Sequence, residues 1–142
     1  MKTRRPKLLE SDIQRQISEF LELDGWRALR TDPCSDRARG KGFGEVGMAD
    51  HLYIRYPTTE FQMEYGLSRG SFCQVLWIEH KRPDGRASDK QKQWHMAERA
   101  RGALTLIAGE DFEPSLDGFL AWYHHSGLMI KRLSLTRPAV ER

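Results

Sequence analysis

The stretch "FCQVLWIEHKRPDGRASDKQKQWHMAERARG", residues 72–102, decides the architecture of this chain. Its first ten residues are apolar, β-favouring and near-continuous, as a central strand should be. "RPDG", 82–85, is a turn signal. Residues 87–102 predict a helix, capped by Ser88 or Asp89 and stopped by Gly102. "ALTLIAG", 103–109, is strand again. The first strand ends oddly: "VLWI" passes at once into Glu79, His80 and Lys81. Charges at the end of a buried strand are costly unless they are paired or hold a metal.

Upstream, "ESDIQRQISEFLELDGW" places Leu9, Ile13, Ile17, Phe20 and Leu21 at three- and four-residue spacings. That stripe predicts an amphipathic helix, with Ser11 or Asp12 as its cap and Gly25 as its stop. "WRALRT", 26–31, reads as a short strand, and 32–47 as a glycine-rich loop. "MADHLYIRY", 48–56, alternates as a strand with Asp50, Leu52 and Ile54 on one face. Residues 57–71 read as a polar connection, either a long hairpin loop or a ragged extension of two strands. Downstream, 115–127 predicts a helix and 128–135 a last strand. The expected order is α-β-β-β-α-β-α-β. It makes a mixed β-sheet flanked by helices, an α/β or α+β fold in one domain.

The composition suits that size. A chain of 142 residues has room for one domain with its own core. A basic tail, 1–8, precedes a domain over 9–142. It is 39% hydrophobic and 30% charged, with no apolar run of membrane-span length. The basic "MKTRRPK" is not followed by a signal-peptide core, so a cytoplasmic location is expected. Cys34 and Cys73 lack metal-type spacing and read as reduced thiols. The net charge of +3 is uneven: residues 81–101 hold seven Lys or Arg against three acids, while 110–117 hold four acids and no base. Such a patch can attract a polyanion, although an ordinary solvated surface has the same look.

Alternation puts Trp77, Glu79 and Lys81 on one strand face, and Ile78 and His80 on the other. If 48–56 and 72–81 pair antiparallel, Asp50 lands beside Glu79 and Lys81. Two carboxylates there repel unless a divalent cation joins them, and oxygen ligands suit Mg2+ or Mn2+. Glu10, opening the first helix, offers a third carboxylate, directly or through a water. Gln91, on the first turn of the next helix, offers a neutral amide to orient water or substrate. The bland alternatives are a strand-end salt bridge and a solvent-facing glutamine. His51 and His80 flank these ligands but are expected to point to the opposite face. His124 and His125 adjoin on a helix, diverge, and read as surface groups. His95, one turn after Gln91, could approach the site, and Trp94 and Trp122 read as core.

Glu10, Gly47-Met48-Ala49-Asp50, Trp77-Ile78-Glu79-His80-Lys81, Ser88-Asp89-Lys90-Gln91 and Trp94-His95 together resemble the VRR-NUC family of the PD-(D/E)xK nuclease superfamily. The resemblance spans about residues 9–109. It departs at Ala49, where the family often has Pro, and in the polar insertion at 57–71. It implies a restriction-endonuclease-like fold and Mg2+-dependent (or Mn2+-dependent) hydrolysis of DNA phosphodiesters. By that resemblance Asp50, Glu79 and the His80 backbone carbonyl would bind the metal. Lys81 would position or deprotonate the attacking water, Glu10 would support the metal's water shell, and Gln91 would assist.

For DNA, Arg37, Arg39 and Lys41 before Asp50, and Arg82, Arg86, Lys90 and Lys92 after Glu79, are the candidate phosphate contacts. No recognition helix or zinc-finger pattern is present, so selection by DNA shape is expected. The resemblance points to branched DNA such as four-way junctions, which a homodimer would cut symmetrically. A monomeric flap or nicking nuclease and a non-catalytic DNA-binding module are the alternatives. Retention of Asp50, Glu79 and Lys81 argues against the module. A metabolic enzyme would need a cofactor fingerprint that the sequence lacks.

Overall fold

A computed structural model describes residues 9–31, 44–56, 58–66 and 72–129. The elements are α1 (Glu10–Leu23), β1 (Arg27–Arg30), β2 (His51–Arg55), α2 (Thr59–Glu64), β3 (Gln74–Glu79), α3 (Asp89–Ala100), β4 (Leu104–Ile107) and α4 (Leu116–Ser126). They form an α/β fold with one four-stranded mixed sheet in the order β1-β2-β3-β4. β1, β2 and β3 run antiparallel, and β4 joins β3 in parallel. The α3 crossover makes that parallel pairing possible, because parallel neighbours need a long connection.

The two sheet faces carry different loads. On one, Tyr53, Leu76, Ile78 and Leu106 meet Ile13, Ile17 and Leu21 of α1 and Phe119 and Tyr123 of α4 in a single core. The α1 residues are spaced as a helical stripe, which is why this helix lies flat on the sheet. On the other face α3 covers β3 and β4. Trp77 meets Trp94 edge to face, and His95 Nδ1 bonds the Thr105 hydroxyl. β3, covered on both faces, has no exposed residue and is buried at Leu76, Ile78 and Glu79, in keeping with its apolar run.

Several expectations change. α1 begins at Glu10 with Leu9 as its N-cap and no side-chain cap, so Ser11 and Asp12 lie inside the first turn. The polar connection expected at 57–71 does join antiparallel neighbours, β2 and β3, as a long hairpin connection should, but it carries a short helix, α2, that the expected order lacks. Leu128 and Met129 are not strand, and the rest of the expected last strand lies outside the described residues. The expected basic tail at 1–8 also lies outside them. Other boundaries hold closely. Ser88 caps α3 through a reciprocal pair with Gln91, Ser115 caps α4, and Gly25, Gly102 and Gly127 follow helices with positive φ. Among the described residues no helix is long and apolar enough to cross a membrane. Cys73 is exposed and free, and Cys34 lies outside the described residues.

Candidate active site

The site forms where β2 begins and β3 ends. Antiparallel register pairs His51 with Ile78, so the next step out brings Asp50 against Glu79. The backbone confirms the contact in both directions. Asp50 N–H donates to Glu79 Oε2 at 3.2 Å, and His80 N–H donates to Asp50 Oδ1 at 3.2 Å. Lys81 Nζ lies 3.2 Å from Glu79 Oε1. Gln91 Nε2 donates to the same oxygen at 2.7 Å. The orientation of that amide is set by the helix cap, since Gln91 Oε1 accepts the Ser88 N–H at 2.9 Å and so leaves the NH2 for Glu79. Asp50, Glu79, Lys81 and Gln91 are thus brought together as the sequence predicts.

Glu79 is 4% exposed. Burial, and then the Asp50 carboxylate, push its pKa up to about 7, against the opposing pull of Lys81. One cation beside two carboxylates does not fully offset their burial. A divalent ion fits such a donor set, because it supplies the positive charge that the buried carboxylate needs to stay ionised.

Asp50 is held from behind. Gly47 has a φ of +79°, and a Cβ there would stand 2.3 Å from the Lys90 carbonyl oxygen. Only glycine lets the chain pass so close to the first turn of α3. Trp94 Nε1 donates to Glu45 Oε2 at 2.8 Å and ties the same loop to α3. The loop before Asp50 and the helix bearing Gln91 are therefore one assembly.

Glu10 does not enter this hydrogen-bonded group. It accepts from Gln14 at 3.1 Å and lines an open cleft of about 540 Å³ shared with Leu9, Ser11, Lys81, Arg82, Gly85 and Arg86. The cleft gives Lys81 its access to solvent and sets two arginines beside it. Arg82 is paired with Asp84 at 3.2 Å and Lys92 with Glu110 at 3.4 Å, all on exposed side chains. Lys90 is exposed on α3. Arg37, Arg39 and Lys41 lie outside the described residues.

The histidines depart most from expectation. Asp50 precedes β2 at a bend, so strand alternation does not govern its side chain. Its Oδ1 lies 3.2 Å from His51 Nδ1, and Asp50, His51 and His80 each place a ligand atom within 4.8 Å of the others. His51 and His80 do lie on the core face of the sheet, but Asp50 reaches them there. His80 is fully buried, and burial lowers its pKa to about 4, so it is neutral. Its Nε2 bonds Tyr53 Oη at 2.9 Å, and Tyr53 Oη bonds Ser18 Oγ at 2.8 Å. His80 Nδ1 is buried with no hydrogen-bond partner among the described residues. The sequence signal was available: opposed strands each place a histidine beside the carboxylates. His95 instead turns into the α3–β4 interface, where burial lowers its pKa to about 4. His124 and His125 are exposed at the end of α4, while Trp94 is buried.

No protein-family model, curated protein or solved structure matches this chain.

Proposed function

We propose that this chain is a Mg2+-dependent (or Mn2+-dependent) structure-selective DNA endonuclease of the VRR-NUC type, acting on branched DNA as a cytoplasmic homodimer. The observation that carries the reading is the convergence of Asp50, Lys81 and Gln91 on the buried Glu79, at the edge of a cleft holding Arg82 and Arg86. The mixed sheet flanked by helices is compatible with a restriction-endonuclease-like fold.

In this reading Asp50, Glu79 and the His80 carbonyl hold the cation, and Glu10 supports it through water from the cleft. When bound, the ion polarises a phosphoryl oxygen and offsets charge that develops on it. Lys81 places a fixed ammonium where the phosphate gains negative charge. Gln91 holds Glu79 in one rotamer, which keeps the carboxylate aimed without adding charge. Arg82 and Arg86, with Lys90 and Lys92 on α3, attract the backbone independently of sequence.

The test is cleavage of labelled four-way junction, flap, single-stranded and linear duplex DNA with Mg2+, Mn2+ or EDTA, by wild type and Lys81→Ala. Metal-dependent cutting of junctions, lost in the variant, is the expected result. Preference for flaps or single strands by a monomer would replace the junction assignment. Binding without cutting by either metal would replace the enzyme with a DNA-binding module.

A further inference from the structure

Asp50 meets Glu79 through its backbone N–H, while its carboxylate meets His51 Nδ1 and the His80 N–H, a side of the residue that the reading above does not use. Towards Glu79 the donors are all oxygen. Towards the core face they are imidazole nitrogens. We propose that Asp50, His51 and His80 form a second, mixed nitrogen–oxygen site for a borderline divalent transition ion of the Zn2+ or Co2+ kind. Its occupancy draws Asp50 away from Glu79 and antagonises the Mg2+ site, a consequence that rests on the nuclease reading.

Three features carry the site. The first is spacing. Ligands bonded at about 2.0–2.2 Å to one tetrahedral ion stand about 3.3–3.6 Å apart. His51 Nδ1 and Asp50 Oδ1 are 3.2 Å apart, and the third donor is within 4.8 Å of both. The second is His80 Nδ1, buried and without a partner among the described residues. A hydrogen bond between His51 and Asp50 explains their contact but leaves this buried nitrogen unsatisfied. Nδ1 is the ring nitrogen on the backbone side of the imidazole, and Asp50 Oδ1 already accepts the His80 backbone N–H. A shared ion gives that nitrogen the partner it lacks.

The third feature is the outer support. With Nδ1 as the ligand, His80 Nε2 carries the hydrogen and donates to Tyr53 Oη, which in turn bonds Ser18 Oγ. Ligating histidines are commonly held by such a donation from the other ring nitrogen, which sets the tautomer and the ring angle. Imidazole also sets the selectivity, since it favours Zn2+ and its neighbours while Mg2+ and Ca2+ keep to oxygen.

The experiment uses tag-free full-length protein titrated with Co2+, read by its visible d–d absorption, with Zn2+ as competitor. The expected result is a low-symmetry Co2+ spectrum at one equivalent that Zn2+ bleaches. His51→Gln removes a ligand and should weaken binding by at least about tenfold. Tyr53→Phe keeps all three ligands, removes the hydroxyl that joins His80 Nε2 to Ser18 Oγ, and should weaken binding about 10- to 100-fold. Glu79→Gln disables the oxygen site and should leave the Co2+ spectrum in place. Circular dichroism checks that each variant is folded. An octahedral spectrum, or one indifferent to His51→Gln, overturns the proposal. Loss of the spectrum in Glu79→Gln also overturns it, by moving the ion to the carboxylate pair. If wild type cuts DNA with Mg2+, one equivalent of Zn2+ should inhibit it, and His51→Gln should relieve that inhibition. Persistent inhibition in that variant overturns the antagonism. If no DNA is cut, the nuclease reading fails, while the Co2+ spectrum still decides the site.

Discussion

The two ends of β2 both bury charge, and they do it in opposite ways. At its C-terminal end Arg55 is 4% exposed and fully engaged. It donates to Asp24 Oδ2 at 3.1 Å, to Gln74 Oε1 at 2.7 Å and to the Leu128 carbonyl at 2.8 Å, and its guanidinium stacks on Trp26 at 4.4 Å. Tyr123 Oη donates to the same Asp24 carboxylate, and Trp26 Nε1 donates to Tyr123. At its N-terminal end Lys81 pairs with Glu79, the Asp50 carboxylate meets His51, the Glu79 pKa is pushed up to about 7, and His80 Nδ1 has no partner among the described residues. The first cluster is closed and structural. The second has unspent capacity for charge and ligands. A fold tolerates that deficit where something else arrives to complete it.

The sharpest way to break this comparison is to remove one cation from each end. Arg55→Met leaves Asp24 buried without its ion-pair partner and should cost about 3–5 kcal/mol of stability by urea unfolding. A loss below about 1 kcal/mol would mean that Tyr123 and water suffice, and that the cluster is not closed by charge. Lys81→Ala should do the reverse. Glu79 can take up a proton, so the urea midpoint at pH 7 should barely move, while DNA cleavage falls about 100- to 1,000-fold. Equal stability losses in the two variants would erase the distinction.

The loop that leads into Asp50 gives an intermediate effect. Gly47→Ala adds a Cβ against the Lys90 carbonyl at a positive φ, and should cost about 1–3 kcal/mol. Cleavage should fall with it, since the same loop seats Asp50. Gln91→Leu removes a capping partner and the amide on Glu79. It should cost about 1 kcal/mol and slow cleavage about tenfold. A stability loss with unchanged cleavage would assign Gln91 to the helix cap alone.

The smallest effect is on pH. His80 and His95 fall from 6.5 to about 4 on folding, so below 6.5 the unfolded chain gains protons that the native state refuses. Stability is lost as pH falls from 6.5 towards 4. Glu79 rises from 4.5 to about 7 and has the opposite sign, with stability lost as pH rises through that window. Two histidines against one carboxylate leave a net rise of the urea midpoint from pH 4.5 to 6.5. His95→Leu should flatten it, and a slope unchanged in that variant would mean that His95 is protonated in the folded state.

Local chemistry was legible where one segment decides it. The continuous apolar run made β3, Ser88 was one of the two caps offered for α3, and Gly25 and Gly102 followed their helices with positive φ. The convergence of Asp50, Glu79 and Lys81 followed from one further assumption, that β2 and β3 pair antiparallel. α2 was missed because six residues do not span enough turns to show a helical stripe.

What sequence by itself determined is the order of the four strands and of the helices α1, α3 and α4, the core stripe of α1 and the acid–lysine group at the end of β3. Only the tertiary structure decided which way Asp50 turns and what meets it. A bend frees its side chain from strand alternation, and the loop leading to that bend passes against α3 at Gly47. The closed cluster of Asp24, Arg55 and Tyr123 likewise joins residues up to 99 positions apart. No local period encodes such a meeting. It comes from packing α1, the sheet and α4 around one core, where Asp24, Arg55 and Tyr123 meet and satisfy one another in space.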